Sequence, residues 1–182
     1  MLRGLAVIIL AMLSSLSGSG ANAQENSSPI RIFGAFFADP SATERPDPAV
    51  RYRVVFSVTK ASLAPETVNP SLEKVARFLN LLAADGVRPT TGDIVVIVHG
   101  GATPIIAKDE VYDELLKVTV ANPNTRLIEE LRKAGATVAV CGQALNRAGI
   151  PPSGVIEGVR IDVSALTTLA TLQLRGWAII PD

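Results

Sequence analysis

The sequence is poor in the residues that most often carry chemistry. Its 182 residues include one cysteine, one histidine and one tryptophan. A lone cysteine cannot form a disulfide within the chain, and in an exported protein it indicates a free reactive thiol or an intermolecular link. One cysteine and one histidine also cannot complete a three- or four-ligand metal site without carboxylates whose positions are undefined. We therefore predict no metal site.

An excess of either charge is also missing, because 17 basic residues balance 17 acidic ones and no basic run occurs. The chain thus lacks the positive surface that binds nucleic acid or anionic membranes. The pair Gly100-Gly101 is not followed by the Lys-Ser/Thr of a phosphate-binding loop, and no G-x-G-x-x-G motif is present. We expect no nucleic-acid partner and no cofactor.

Long apolar runs are confined to the start of the chain. Residues 1–23 combine Arg3, an apolar stretch at 5–13 and an A-x-A pattern that ends at Ala23, which together are typical of a secretory signal peptide. A stretch of that length is too short to span the roughly 30 Å hydrocarbon core of a bilayer, so a membrane anchor is the weaker interpretation. We predict cleavage after Ala23, a periplasmic location and no membrane segment in the mature chain.

Residues 24–50 are predicted to form an N-terminal arm or linker. Residues 30–37 hold three of the five phenylalanines, and prolines at positions 40, 46 and 48 then exclude regular structure. A soluble domain seldom leaves such an apolar patch exposed. The patch is expected to pack on its own domain or on a neighbouring subunit, and we expect the arm to take part in a homo-oligomer.

Residues 51–182 alternate between strand-like and helix-like segments, which predicts one α/β domain. The predicted strands are 52–58, 93–98, 136–140, 159–163 and 177–180. Helices are predicted at 70–85, 127–134, 143–148 and 164–174, with Asn69 as the N-cap of the first and Ser164 as the N-cap of the last. The charged segment 109–117 is predicted to be irregular and to lie on the surface. Short connections between alternating strands and helices favour a mostly parallel sheet with helices on both faces.

The candidate site is the stretch A-T-V-A-V-C-G-Q-A-L-N-R-A-G-I at residues 136–150, where a buried strand ends on Cys141. Gly142 allows a sharp turn into a helix, and the N-terminus of a helix favours the thiolate form of a cysteine. This functional interpretation expects a partly accessible thiol. The alternative is that Cys141 is a small buried hydrophobe, as many free cysteines are.

His99 closes the strand that precedes the one ending at Cys141. Because the two strands flank a single helix, a βαβ unit can place the two side chains next to each other. An adjacent imidazole would lower the thiol pKa or transfer a proton, as in a Cys–His nucleophile pair. The alternative is an imidazole that is bonded to a loop carbonyl, and no third member of a catalytic triad is defined.

The run V-A-V-C-G-Q-A-L-N-R-A-G-I resembles the strand–Cys–helix segment of the DsrE/DsrF-like family, which includes the sulfur-relay TusBCD-type proteins. The segments R-Y-R-V-V-F-S-V, V-V-I-V-H-G-G and R-G-W-A-I-I-P fit the same family in order. The resemblance implies a three-layer α/β/α sandwich with a mainly parallel five-stranded sheet that assembles into trimers or hexamers. In sulfur-relay members, a cysteine at the position of Cys141 carries a persulfide. Ala144 stands where some relatives have the second cysteine of a C-x-x-C pair, so an internal resolving thiol is missing.

Three functions are compatible with these residues. The leading hypothesis is a periplasmic, sulfurtransferase-like sulfur carrier, in which Cys141 accepts sulfane sulfur from a donor protein and passes it to an acceptor. The second is a non-catalytic oligomeric module that holds a small ligand beside His99 and Cys141. The third is a hydrolase with Cys141 as the nucleophile, which requires a base in hydrogen-bond contact with the sulfur. Whether the protein is an enzyme stays open between these hypotheses.

Overall fold

The computed structural model describes residues 28–182, so the predicted signal peptide lies outside the described residues. The strands are β1 (Val54–Val58), β2 (Ile94–Val98), β3 (Thr137–Cys141), β4 (Arg160–Asp162) and β5 (Ala178–Ile180). They form one sheet in the order β4-β3-β2-β1-β5. All pairings between these strands are parallel, which confirms the predicted α/β class and sheet type.

Five helices connect and cover the strands in the described part of the chain. They are α1 (Pro70–Ala84), α2 (Asp109–Leu116), α3 (Thr125–Lys133), α4 (Gly142–Ala148) and α5 (Ala165–Leu174), with 3₁₀ turns at Gly100–Ile106 and Pro152–Gly154. Asn69 caps α1 and Ser164 caps α5, as predicted, because each side chain accepts a backbone N–H from the first turn of its helix. None of the helices within residues 28–182 has the length and apolar character needed to cross a membrane.

The two faces of the sheet are covered to different depths. One face presents Val96 and Val140 to the main hydrophobic core, which α1 and α3 complete. The opposite face presents Val55 and Ile97 to a small cluster in which α5 buries only Ala165. The sandwich has three layers, as expected, but one helical layer is thick and the other is thin. We refer to the face under α5 as the thin side.

The prediction that residues 109–117 are irregular is wrong, because Asp109–Leu116 form α2. Tyr112 in this helix is buried, and its hydroxyl donates to the Pro65 carbonyl at 2.7 Å. Acidic residues occupy half of the positions in the segment D-E-V-Y-D-E-L-L. The remaining residues, Val111, Tyr112, Leu115 and Leu116, form a narrow apolar stripe that packs on the main core. The high acidic content of the segment masks this stripe in the sequence.

The N-terminal arm packs on α1 of its own chain. The buried Asn80 side chain accepts the Ile30 N–H at 3.2 Å and donates to the Ile30 carbonyl at 2.9 Å, and Ile30 is fully buried. Gly34 has a φ of +67°, and a Cβ there would lie 2.3 Å from the Arg77 backbone nitrogen, so the close approach requires glycine. The expected packing on the chain's own domain is thus present, although Phe37 remains 87% exposed.

Candidate functional site

Cys141 is the last residue of β3 and directly precedes α4. Its backbone is extended, with φ −71° and ψ 117°, and it occupies the N-cap position of the helix. The predicted order of strand, cysteine, glycine and helix is therefore confirmed. The position lies at the carboxyl edge of the sheet, where parallel α/β sheets generally hold their ligands.

The N-terminus of a second helix reaches the same thiol. Ala165, the first residue of α5, belongs with Cys141 to the small cluster on the thin side of the sheet. Ser164, the N-cap of α5, directly precedes it. Sequence reasoning missed both residues because they lie on another part of the chain. The available signal was the predicted cap at Ser164, which follows the strand that proves to be the sheet neighbour of β3.

The surroundings of Cys141 favour the thiolate. Burial raises the pKa of the Cys141 thiol, but three backbone N–H groups and one hydroxyl that donate toward the sulfur lower the pKa by more. These donors are the N–H groups of Ala165, Ala144 and Gln143 and the hydroxyl of Ser164. The sulfur forms no regular capping hydrogen bond with α4, so the stabilisation of the negative charge is shared among several donors.

The thiol is less accessible than the functional interpretation expects, since Cys141 is 6% exposed. Close packing between the end of β4 and the start of α4 contributes to this burial. A Cβ at Gly142 would lie 2.9 Å from the Asp162 carbonyl oxygen, so only glycine fits at this position.

His99 follows β2, as predicted, at the same carboxyl edge of the sheet where Cys141 ends β3. The ladder between β2 and β3 pairs Val98 with Val140, so His99 and Cys141 take the next position on the neighbouring strands and project to the thin side. The His99 Nε2 atom lies 2.9 Å from the Ser57 Oγ atom of β1. Within residues 28–182, the hydrogen bond of the imidazole goes to Ser57 and none joins it to Cys141. Proton transfer between His99 and the sulfur stays a prediction.

The partial burial of His99 favours the neutral form of its imidazole. Burial lowers the pKa of His99, and the nearby Asp182 carboxylate raises it by less. A neutral ring cannot stabilise a thiolate by its charge, so the low pKa of Cys141 is explained by the helix donors. Sequence reasoning did not include Ser57 or Asp182, because only the strand order brings the ends of β1, β2 and β5 to one edge.

Neither a cluster of metal ligands nor either of two sizeable cavities in the described part of the chain includes Cys141 or His99. No group of three His, Cys, Asp or Glu side chains within residues 28–182 could hold a metal ion. A cavity of about 500 Å³ opens between the arm and α1. Another of about 480 Å³ is lined by residues of β4 and α5. Neither Cys141 nor His99 lines either cavity. These cavities therefore do not support a ligand site centred on the two side chains.

Residues 52–181 match the DsrE/DsrF-like family. The chain belongs to this family. The match begins just before β1, extends beyond β5 and leaves out the arm, so the sheet with its helices is the DsrE/DsrF-like unit of the protein. The candidate thiol and both helix N-termini that donate to it lie within this unit.

Two solved structures share the fold of this DsrE/DsrF-like protein. The protein MTH1491 of Methanobacterium thermoautotrophicum, described as of unknown function, is 23% identical with a TM-score of 0.53, and the alignment covers 72% of this chain and 99% of that one. The ychN protein from E. coli is 18% identical with a TM-score of 0.52 and the same coverage of the two chains, 72% and 99%. At these identities the likeness concerns the fold alone. A search among curated proteins finds no match.

Proposed function

We propose that this DsrE/DsrF-like protein handles sulfur in the periplasm, where Cys141 accepts a sulfane sulfur as a persulfide and passes it on. The proposal rests on one observation: hydrogen-bond donors from the N-termini of α4 and α5 both point toward the one thiol of the described chain. Sulfur exchange requires a thiolate as the nucleophile, and these donors favour that form by lowering the pKa of Cys141. Membership of a family that includes sulfur-relay proteins supports the same assignment.

The proposed step exchanges one sulfur–sulfur bond for another. The Cys141 thiolate attacks the outer sulfur of a donor persulfide, R–S–SH, and a new S–S bond forms on Cys141. The S–S bond of the donor breaks, and its electron pair leaves with R–S⁻, so no net oxidation occurs. The reverse step transfers the sulfur to an acceptor thiolate. Since the acceptor supplies the second thiol, the missing C-x-x-C cysteine at Ala144 is not needed.

Location and partners belong to the same proposal. Residues 1–23 carry the export signal on which the periplasmic assignment depends, and a donor and an acceptor protein of that compartment would be the partners. Cell fractionation followed by N-terminal sequencing tests this assignment. A mature chain that begins at Gln24 in the periplasmic fraction supports it, and a cytoplasmic chain that begins at Met1 contradicts it.

We also propose that the protein is a homo-oligomer, a trimer or hexamer, with α5 in the contact surface. This helix contains no charged residue from Ala165 to Leu174 and buries only Ala165 on its own chain. Leu166 is 80% exposed and Leu174 is 89% exposed. Large apolar side chains left exposed on an uncharged helix indicate a contact surface, and a second copy of this chain is the occupant favoured by its family.

The test of the sulfur-carrier function is the intact mass of the protein after exposure to a low-molecular-weight persulfide. The wild-type protein is expected to gain one sulfur atom, to lose it again when a small thiol is added, and to show neither change as Cys141→Ser. Alkylation kinetics against pH should give a midpoint below about 8.5, the ordinary value for a thiol. A protein that gains no sulfur while its thiol still alkylates would contradict the carrier assignment.

The burial of Cys141 favours one alternative, a non-catalytic function in which the cysteine is a small buried hydrophobe and does not react. That function predicts alkylation only under conditions that unfold the protein, and a midpoint at or above the ordinary thiol value. The hydrolase has less support, because the imidazole that would serve as its base is hydrogen-bonded to Ser57.

A further inference from the structure

The turn after β1 holds a carboxylate that comes from a distant part of the chain. The Asp182 Oδ2 atom accepts hydrogen bonds from the Thr59 N–H, the Thr59 hydroxyl and the Lys60 N–H, the last at 2.8 Å. Three donors on one oxygen, two of them consecutive backbone N–H groups, form the kind of concavity in which proteins bind anions. Burial raises the pKa of Asp182, and these donors together with the Ser71 hydroxyl lower it by more.

The surroundings of this turn favour negative charge in general. The turn lies at the carboxyl edge of the sheet, and Ser71 belongs to the first turn of α1, the positive end of a helix of 15 residues. The Lys74 Nζ atom donates to the Pro181 carbonyl at 3.1 Å, which brings a cation close to the carboxylate. The edge at the ends of β1 and β5 therefore combines backbone donors, a helix N-terminus and a cation.

The Asp182 carboxylate bonds to the donors of this turn through only one of its two oxygens. Its Oδ1 atom is buried and forms no regular hydrogen bond within the described residues, although the Ser71 hydroxyl is close enough to act on its charge. The segment after β5 is held at this place by hydrogen bonds from Thr59, Lys60 and Lys74. Only one oxygen of the Asp182 carboxylate accepts the three donors of the turn, so this group fits the site less well than a tetrahedral or planar anion that is free to orient all its oxygens.

We propose that the turn at Thr59 and Lys60 is a binding site for a small oxyanion or carboxylate, and that the Asp182 side chain occupies it in the ligand-free protein. An incoming anion displaces the Asp182 carboxylate from the Thr59 and Lys60 donors, and the two residues after β5 move away while the sheet stays intact. The Asp182 carboxylate and the incoming anion are both negative, so the donors of the turn face a negative group in either state. The proposal concerns the ends of β1 and β5 and does not depend on sulfur transfer at Cys141.

The test uses sulfate as the probe and the wild-type protein beside Asp182→Ala. Because Asp182 competes with the ligand in the wild type, its removal is expected to tighten sulfate binding about ten-fold if the carboxylate occupies the site nine-tenths of the time. Backbone NMR should show saturable shifts of the Thr59 and Lys60 amide signals. The protein has one histidine, so a single imidazole signal reports on the site independently. The pKa of His99 should fall in Asp182→Ala and rise again when sulfate binds.

Three further variants make the result decisive. Thr59→Val in the Asp182→Ala protein removes one donor at similar volume and should weaken sulfate binding. Asp39→Ala is the matched control, because the Asp39 carboxylate also accepts a backbone N–H and a hydroxyl, from Ser41, but lies elsewhere. If Asp182→Ala does not fold, Asp182→Asn replaces it in the test. Sulfate should displace the neutral amide of asparagine from the turn more easily than the carboxylate. Equal sulfate affinity in the wild-type and Asp182 variants, or shifts that bypass Thr59 and Lys60, would overturn the proposal.

Discussion

At the scale of single residues, Ser164 connects the thiol to the formation of α5. Its oxygen accepts the Leu166 N–H at 3.2 Å as the N-cap of the helix. Its hydroxyl also donates toward the sulfur of Cys141, which lowers the pKa of the thiol. One side chain therefore stabilises both the start of a helix and a negative charge on another element.

Replacing Ser164 by alanine is expected to raise the pKa of the Cys141 thiol toward its ordinary value, because one of the four donors is lost. The loss of the cap should lower the free energy of unfolding by about 1 kcal/mol. Alkylation rates measured against pH give the first quantity and urea unfolding gives the second. Ser164→Thr is the matched control, since it keeps the hydroxyl, and its alkylation midpoint should stay close to that of the wild type. An unchanged midpoint in Ser164→Ala would show that Ser164 does not act on the thiol.

His99 should make the stability of the protein depend on pH in the acidic range. Its pKa is lowered in the folded state by burial, so the unfolded chain binds a proton more readily. The contribution of this group to stability is fully present above about 6.5, the unfolded value, and is lost as the pH falls through the folded value. The free energy of unfolding of the wild type should thus decrease more between pH 7.5 and 5.5 than that of His99→Gln, as urea titrations at the two pH values would measure. Parallel decreases in both proteins would contradict the burial of His99.

At the scale of elements, the arm depends on one buried amide. The Asn80 Nδ2 atom donates to the carbonyls of Ile30, Phe33 and Gly34, and its Oδ1 atom accepts the Ile30 N–H. Glu73 on the same helix accepts the Gly34 N–H at 2.6 Å. The arm is irregular and has no ladder of backbone hydrogen bonds. Its N–H and C=O groups therefore bond to side chains of α1 instead.

Asn80→Ala is expected to release the arm and to lower the free energy of unfolding by about 1–3 kcal/mol, since buried backbone groups lose their partner. Hydrogen exchange of the amides of residues 28–36 should become faster, while the exchange of β2 stays slow. Arg77→Ala is the matched control on the same helix, because Arg77 makes only an exposed bond to the Ala35 carbonyl. If the arm exchanges as slowly in Asn80→Ala as in the wild type, other contacts hold it.

At the scale of the whole molecule, the thin side of the sheet is the part that the isolated chain leaves incomplete. The double variant Leu166→Glu with Leu174→Glu is expected to have a smaller mass in light scattering than the wild type, because two charges on α5 would have to be buried in the contact. Leu63→Glu is the control, since Leu63 is 88% exposed but lies in the connection between β1 and α1. Its mass should equal that of the wild type. A monomeric wild type, or equal dissociation of both variants, would refute the role of α5.

The sequence by itself determined the local features of this protein. Alternating strand and helix patterns, the caps Asn69 and Ser164, and the placement of Cys141 between β3 and α4 could all be predicted, because each depends on residues a few positions apart. The one misjudged segment, Asp109–Leu116, forms a helix because its narrow apolar stripe packs on the core, which local composition does not reveal.

Only the tertiary structure decided which distant groups meet at the carboxyl edge. The strand order sets β4 beside β3, which brings the N-terminus of α5 to the thiol of Cys141. The register of β1 and β2 gives His99 its bond to Ser57, and the pairing of β5 with β1 carries Asp182 to Thr59. Strand order and register result from the packing of the whole core, in which many weak contacts between remote residues add up. A short sequence pattern does not report these long-range contacts. The second helix at the cysteine and the proposed anion-binding turn therefore became visible only in the folded chain.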